Sequence, residues 1–150
     1  MSYENPWQYH GNPIESFDSK TQGFVYVLEC RLTGRKYIGK KNSWFVKVSQ
    51  KMITNKKGEK KKKKIRTPVE SDWKEYYGSS AELTEYISKV GKINIKRTIL
   101  YMCSSKSEMS YYEAYEQFVN HALISTDYFN SWIMVRVRKD HLKSIHKSED

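Results

Sequence analysis

The chain has 150 residues, the length of one ordinary domain, and 38% of them are hydrophobic, which is enough for a core and excludes disorder of the whole chain. Lysine and arginine number 27 against 17 acidic residues, and the resulting formal charge of +10 predicts a polyanionic partner. No apolar run approaches the roughly 18 residues that a membrane helix needs, so a bilayer-spanning segment is excluded.

Residues 1–22 combine prolines, a glycine and polar residues, and this composition predicts an irregular lead-in. Three aromatic residues are expected to tether it to the domain surface: Trp7, Tyr9 and Phe17. The lead-in has no basic-then-apolar signal segment, and Cys30 and Cys103 lack the spacing of a zinc site or a disulfide framework. We therefore expect two free thiols and a cytoplasmic setting.

A β-hairpin is predicted next in the chain. The segment from Gly23 to Cys30 is dense in β-branched and aromatic residues, and a second such segment runs from Arg35 to Gly39. Gly34 lies between them and fits the turn.

The register of this hairpin decides where its two tyrosines point. If Leu28 or Cys30 lies opposite Tyr37, then Tyr26 and Tyr37 share one face of the sheet. A slip by one residue, with Glu29 opposite Tyr37, would separate them. We expect the register that places both tyrosines on the same face.

The most basic part of the sequence is an insert at residues 47–70. Like charges at this density repel one another and cannot be buried, so we predict an exposed, mobile loop that lies along phosphates. A solvated loop that serves solubility, or a localisation signal, is the alternative. The expected nucleic-acid-binding residues are Lys56, Lys57, Lys60, Lys61, Lys62, Lys63, Lys64 and Arg66.

The rest of the chain predicts two helices and one or two strands. A first helix begins after Ser79 or Ser80, either of which can be the N-cap, and ends at Gly91. Residues 93–101 alternate well enough to be a third strand, and a second helix is predicted over residues 107–124. Its apolar positions include Met109, Tyr112, Phe118 and Leu123. Residues 131–150 are expected to form a basic strand or an extended tail.

Two short motifs suggest a family. Gly23-Phe24-Val25-Tyr26, followed after ten residues by Tyr37-Ile38-Gly39, resembles the paired Gly-Ile-Tyr and Tyr-Ile-Gly signature of the GIY-YIG nucleases, although Phe24-Val25 departs from it. The lysine-rich insert and Trp73-x-x-Tyr-Tyr-Gly-Ser are similar to segments of the phage Seg-type homing endonucleases. The resemblance covers residues 23–130, which we take as the nuclease domain.

The resemblance implies a fold and an activity. The fold is α+β: a small antiparallel sheet, mainly three-stranded, flanked by helices, and the element order predicted above agrees with it. The activity is hydrolysis of a DNA phosphodiester, with duplex DNA as the expected substrate, in the cytoplasm of a phage-infected bacterium. No membrane partner is expected, and the oligomeric state is left open.

The resemblance also assigns catalytic roles. Tyr26 matches the tyrosine proposed as general base, Tyr37 the one that positions water or phosphate, and Gly23 and Gly39 are the motif glycines. A free tyrosine has a pKa near 10, so Tyr26 needs cationic neighbours to act as a base near neutral pH. Without the flanking motif, both tyrosines would be read as half-buried strand residues.

The family binds one divalent metal through a lone helix glutamate, and two glutamates match that position here. Glu113 and Glu116 lie three residues apart on the predicted helix and so on one face, and we prefer Glu113 because its neighbours fit a packed face. A single carboxylate with several waters suits Mg²⁺. Asn130 matches the asparagine that braces the family's site by hydrogen bonds.

One element of the family pattern is missing. The helix after the Tyr-Ile-Gly motif usually carries an arginine that points at the scissile phosphate, and residues 83–90 contain none. Lys40 or Lys41 could substitute as a point charge without the bidentate grip of a guanidinium. Arg66 and Arg97 are further candidates.

Two other functions remain open at this point. A degenerate domain of the same fold could bind nucleic acid without cutting it, and the missing arginine supports that alternative. A basic RNA-binding accessory protein is the other, since 14% aromatic residues could supply stacking surfaces.

Overall fold

The structure is a computed structural model, and it describes residues 3–145. Residues 1–2 of the predicted lead-in and residues 146–150 of the predicted tail lie outside this range. The described part is a mixed α+β domain with two α-helices, a five-stranded sheet and a separate two-stranded sheet. No helix in this range is long and apolar enough to cross a membrane.

The strands are β1 (Gln8–Tyr9), β2 (Asn12–Pro13), β3 (Gly23–Cys30), β4 (Lys36–Asn42), β5 (Trp44–Thr54), β6 (Lys60–Glu70) and β7 (Ile95–Cys103). The helices are α1 (Ala81–Val90) and α2 (Lys106–Val119), and short 3₁₀ segments cover Trp73–Glu75, Lys92–Asn94 and Lys139–Ile145.

The main sheet has the order β2-β1-β7-β3-β4. Strand β3 pairs antiparallel with both β4 and β7, which are the three strands expected from the sequence. The sheet has more strands than the mainly three-stranded antiparallel sheet that was expected, because β1 adds to β7 in parallel and β2 pairs with β1. Strand β4 is therefore the outermost strand on the other side.

Side chains of β3 alternate between two cores, one on each face of the sheet. Phe24, Tyr26 and Leu28 belong to the larger core, which α1 covers with Leu83 and Ile87. On the opposite face, α2 packs over a smaller core of Val25, Ile38, Cys103 and Met109. This strand is buried on both faces, which explains its nearly continuous run of apolar residues.

The lead-in is more ordered and more deeply buried than expected. Trp7 is fully buried and Phe17 is buried in the larger core, where both rings contact Phe24. The indole N–H of Trp7 donates to the carbonyl oxygen of Trp73 at 2.8 Å. Apart from β1 and β2 the described lead-in is irregular, as predicted, but Trp7 and Phe17 lie in the core rather than on the domain surface. A sequence window cannot show which distant residues an aromatic ring will cover.

Helix α1 begins and ends as predicted. The Ser80 hydroxyl accepts a hydrogen bond from the Leu83 amide at 3.3 Å, so Ser80 is the N-cap. Gly91 ends the helix with a φ of 91°, a conformation that favours glycine. Helix α2 is shorter than predicted, because it ends at Val119 and is followed by turns up to Ile124. Of the apolar positions named for this helix, Met109 is buried, whereas Phe118 and Leu123 are exposed.

The basic insert is a β-ribbon rather than the predicted loop. Strands β5 and β6 pair antiparallel in continuous register from Trp44 opposite Glu70 to Thr54 opposite Lys60. A tight turn at residues 55–59 joins them, with Gly58 at a φ of 78°. Charge repulsion excluded burial, as expected, but it did not prevent backbone pairing.

Residues 131–138 form no strand, so the extended alternative describes this part of the tail. The strand prediction rested on alternating apolar and basic residues at 133–138, but only Ile133 and Val137 there are partly covered. Alternation without a neighbouring strand edge to pair with does not make a strand.

Candidate active site

The two motifs of the hairpin meet in the register that was expected. Leu28 lies opposite Tyr37 and Tyr26 lies opposite Gly39, so both tyrosines occupy the same face of the sheet. Their ring centroids are 6.4 Å apart. The prediction of a shared face is therefore confirmed.

The motif glycines allow close packing around this pair. A Cβ at Gly39 would overlap the Tyr26 hydroxyl, so only glycine lets Tyr26 reach across β4 toward its outer edge. A Cβ at Gly23 would overlap the carbonyl oxygen of Lys41 and the side chain of Met109. Gly23 thus lets α2 approach the sheet, and α2 carries the candidate metal ligands.

A cleft of about 510 Å³ opens at the edge of β4. Because β4 is the outermost strand, groups from both faces of the sheet can converge there. The residues proposed from the sequence that line the cleft are Tyr26, Tyr37, Lys40, Glu113 and Asn130. Five groups from four separate segments of the chain thus surround one concavity.

Tyr26 is deeply buried, and burial raises its pKa well above 10. The neighbouring Tyr76 and Tyr37 and the Glu113 carboxylate raise it further. A role as general base requires cationic neighbours that lower this pKa, and burial and the neighbours of Tyr26 instead raise it. Tyr26 therefore holds its proton at neutral pH in the protein alone.

Tyr37 is only partly buried, and burial likewise raises the pKa of its hydroxyl. A hydrogen bond with Ser79 and the nearby Glu113 carboxylate act on the same group, in opposite directions. The hydroxyl of Tyr37 therefore lies in the cleft as a neutral group that can donate and accept hydrogen bonds.

The structure separates the two candidate glutamates. Glu113 lines the cleft with its side chain 16% exposed, and burial raises the pKa of its carboxyl group. Glu116 instead accepts hydrogen bonds from the Tyr101 hydroxyl at 2.6 Å and from the Asn120 side chain at 3.0 Å. Both oxygens of Glu116 thus accept hydrogen bonds outside the cleft, and Glu113 is the carboxylate that lines the cleft.

The two lysines after the motif lie on opposite faces of β4. Lys40 lines the cleft, where its ammonium is 3.8 Å from Glu113 and donates to the Ser110 hydroxyl at 2.8 Å. Lys41 points to the other face and forms an ion pair with Asp72 at 2.6 Å. That contact lowers the pKa of the Asp72 carboxyl group. Lys41 does not line the cleft.

Arg97 does not supply the missing phosphate-facing cation. Its guanidinium is buried and makes five hydrogen bonds to backbone carbonyl oxygens, at 2.6–3.2 Å. The acceptors belong to Glu4, Asn5, Lys74 and Tyr76. All five N–H donors of an arginine are thereby used, so Arg97 ties the lead-in to the segment that precedes α1.

Asn130 fixes the middle of the Tyr37-Ile38-Gly39 motif. Its side-chain oxygen accepts from the Ile38 amide at 3.0 Å, and its side-chain nitrogen donates to the Ile38 carbonyl oxygen at 2.8 Å. Gln117 of α2 donates to that same carbonyl oxygen at 3.1 Å. These side chains bind the amide and the carbonyl oxygen of Ile38, which a neighbouring strand would otherwise pair with at the edge of β4. They thereby hold Tyr37 and Gly39 in place.

Several residues of the cleft were not proposed from the sequence. They are Tyr76, Ser79, Ser80, Ala81, Gln117, Phe129, Ser131, Trp132 and Met134. Tyr76 and Ser79 belong to the Tyr-Tyr-Gly-Ser segment that supported the resemblance, and that segment was the available signal. Nothing in the sequence marked Gln117, because its role depends on how α2 packs on β4.

The residues of the basic insert do not line the cleft. Lys56, Lys57, the run from Lys60 to Lys64, and Arg66 lie on the ribbon and are exposed. The ribbon begins two residues after β4 ends, so its base is next to the strand that carries Lys40.

Comparison with protein-family models matches residues 7–133 to the family described as "Putative endonuclease segE, GIY-YIG domain". Searches of curated proteins and of solved structures found no match. The family model covers most of the chain and includes both motifs, the ribbon and Asn130. The chain therefore belongs to the SegE-type GIY-YIG family, a family of nucleases.

Proposed function

We propose that this protein is a metal-dependent endonuclease that hydrolyses phosphodiester bonds of duplex DNA. The observation that supports this proposal is the cleft at the β4 edge, which is lined by two tyrosines, a lysine and a half-buried carboxylate. A homing-type role in a phage-infected bacterial cell is part of the proposal and follows from the Seg-type family.

The donor set of the cleft fits one hard divalent cation. Among residues 3–145 there is no cluster of three or more potential metal ligands, so the site has the single carboxylate of Glu113. Burial raises the pKa of this carboxyl group despite the nearby Lys40, and a cation bound by Glu113 would offset burial by favouring the charged form. Mg²⁺ suits such a site because it keeps several of its waters.

The residues of the chain take separate tasks in this mechanism. The neutral hydroxyl of Tyr37 forms a hydrogen bond to water and directs it toward the phosphorus atom, and the ionised form of Tyr26 accepts the proton of that water at its phenolate oxygen. Lys40 supplies a point charge for the oxygens of the transition state, in place of the family arginine. A divalent cation held by Glu113 would polarise the phosphate and favour the ionised form of Tyr26.

The remaining site residues position the reacting groups and take no direct part in the reaction in this proposal. Asn130 and Gln117 hold the backbone of Ile38, and this keeps the reacting groups in one geometry. The nuclease domain spans residues 23–130, with residues 1–22 and 131–150 as flanking segments. The lysines of the ribbon and Arg66 bind the DNA backbone outside the cleft.

The test is cleavage of supercoiled plasmid by purified protein with MgCl₂. We expect the wild type to nick or linearise the plasmid, and Tyr26→Phe and Glu113→Ala to be slower by about 10²- to 10³-fold. Glu116→Gln is the matched control on the same helix, and it should cut within about threefold of the wild type.

The competing function is DNA binding without cleavage, for which the absence of an arginine from α1 is the supporting observation. That function is correct if the plasmid stays intact with every divalent cation while the wild type and Glu113→Ala bind it equally well. Equal loss of cleavage in Glu113→Ala and Glu116→Gln would instead contradict the assignment of Glu113.

A further inference from the structure

The ribbon formed by β5 and β6 extends beyond the domain that carries the cleft. Each strand has 11 residues, which at roughly 3.3 Å per residue gives a length of about 35 Å. Within residues 44–70, only Trp44, Asn55 and Ile65 are partly covered, and all other residues are exposed. Both faces of the ribbon are therefore open to a partner.

The eight cations of strands β5 and β6 are divided equally between the two faces of the ribbon. Residues directly opposite each other in an antiparallel pair share a face, and successive residues alternate. The register assigns Lys47, Lys51, Lys61 and Lys63 to one face, here called face one. It assigns Lys60, Lys62, Lys64 and Arg66 to the other, here called face two.

This distribution is unfavourable for an isolated ribbon. Lys51 lies directly opposite Lys63, and like charges in that position repel each other. Strands β5 and β6 contain a single acidic residue, Glu70, which lies at the base of the ribbon. A two-stranded ribbon is marginally stable by itself, so a partner that neutralises both faces would stabilise it.

The base of the ribbon is fixed next to the cleft. The Ser71 amide donates to the Ser43 carbonyl oxygen at 3.0 Å and closes the two strands at the domain surface. Lys41 contacts the base from β4, because its ammonium lies 5.1 Å from the centre of the Phe45 ring and pairs with Asp72. The ribbon therefore holds one end beside the strand that carries the active-site lysine.

The dimensions indicate which polyanion fits. The major groove of B-form DNA is about 12 Å wide and admits a two-stranded ribbon, and a length of about 35 Å corresponds to one helical turn. The groove has a phosphate-lined wall on each side, which matches cations on both faces. The major groove of A-form RNA is too deep and narrow for side chains to read.

We propose that the β5–β6 ribbon inserts into the major groove of duplex DNA, with face one toward one phosphate wall and face two toward the other. This inference rests on the proposed function, since it names the form of the nuclease's substrate and how it is held. The ribbon occupies about one helical turn to one side of the cleft.

The test measures binding of a 30-base-pair DNA across a salt series, without divalent metal and in the Glu113→Gln background. Two ribbon variants each replace four cations with glutamine, one on face one and one on face two. We expect each variant to bind about 100-fold more weakly and to lower the slope of log affinity against log salt by about 3 to 4. The matched control replaces four exposed lysines outside the ribbon: Lys89, Lys92, Lys96 and Lys106.

Two competitors identify the groove. Methyl green, which occupies the major groove, should weaken binding of the parent protein, whereas netropsin, which occupies the minor groove, should not. An RNA duplex of the same sequence should bind at least tenfold more weakly. Circular dichroism of each variant confirms that the domain is folded.

The proposal is overturned if only one face matters, because the ribbon would then lie flat on the backbone. It is also overturned if the control loses as much affinity as the face variants, if RNA binds equally well, or if netropsin alone competes. None of these measurements involves cleavage, so an inactive protein can still pass them and an active nuclease can still fail them.

Discussion

The cleft and the ribbon use polar and charged residues in opposite ways. In the cleft, Tyr26, Lys40, Glu113 and Asn130 come from separate segments, and each has its own contacts. In the ribbon, ten cations follow one another on one continuous segment and point into solvent. The cleft depends on the position of each residue, whereas the ribbon depends on the sum of its charges.

This difference predicts different sensitivities to substitution. Removing a group that is buried and hydrogen-bonded leaves its partners unsatisfied, which costs more than the lost bond itself. Removing one exposed cation among ten leaves the others to attract the same polyanion. Single substitutions should therefore be severe in the domain body and mild in the ribbon.

The largest expected contrast in stability is between two arginines. Arg97→Lys should lower the free energy of unfolding by about 3 kcal/mol, because a lysine cannot satisfy the four carbonyl groups that the guanidinium binds. Arg66→Lys on the exposed ribbon should change it by less than about 0.5 kcal/mol. Urea denaturation of both variants measures the difference.

Equal and small effects would break the comparison. They would mean that the carbonyl groups around Arg97 find water or other donors at little cost. A large effect at Arg66 would mean that the ribbon packs against the domain, in conflict with its exposure.

The next contrast concerns two asparagines. Asn130→Ala should slow cleavage by about 10- to 100-fold, because the Ile38 amide loses its acceptor and the motif strand loses its brace. The same change should lower the free energy of unfolding by about 1–2 kcal/mol. Asn120→Ala, at the exposed end of α2, is the control and should leave the cleavage rate within about twofold.

Plasmid cleavage and thermal unfolding of the two variants distinguish an effect on the geometry of the cleft from an effect on the stability of the fold. If Asn130→Ala loses stability but cuts at the wild-type rate, then Asn130 supports the fold without shaping the cleft. That result would remove it from the site.

Local chemistry made part of this molecule predictable. The serine cap and the final glycine of α1 are recognised within a few residues of sequence, and the alternation of β3 and β4 predicts the face that Tyr26 and Tyr37 share. The family pattern then named five residues that line the cleft. It also named Lys41, which shares a face of β4 with Tyr37 but pairs with Asp72 outside the cleft.

The remaining features depend on contacts between distant segments. Trp7 is buried by residues far along the chain, and Gln117 reaches the Ile38 carbonyl oxygen only because α2 crosses β4. The pairing of β5 with β6 could not be predicted for a different reason. A run of five lysines has no alternation of apolar and polar residues, so its pairing with β5 cannot be read from the pattern.

The smallest expected effect concerns Glu113, whose buried carboxylate lowers the stability of the folded state. Burial raises the pKa of this carboxyl group, so the folded state binds its proton more tightly than the unfolded state does. A raised carboxyl pKa means that Glu113 becomes destabilising as the pH rises through its unfolded and then its folded pKa. Glu113→Gln should therefore raise the unfolding temperature at pH 7 in the absence of divalent metal.

That gain should shrink as the pH is lowered through the acidic range, where the carboxyl group of the wild type becomes protonated and neutral like the amide. Unfolding scans between pH 4 and pH 8 measure it, and Glu116→Gln, whose carboxylate is hydrogen-bonded outside the cleft, is the control. A variant that is less stable than the wild type at pH 7 would show that the contact with Lys40 outweighs burial. If the prediction holds, the cleft keeps a carboxylate that the fold by itself disfavours, whereas solvent screens the exposed charges of the ribbon.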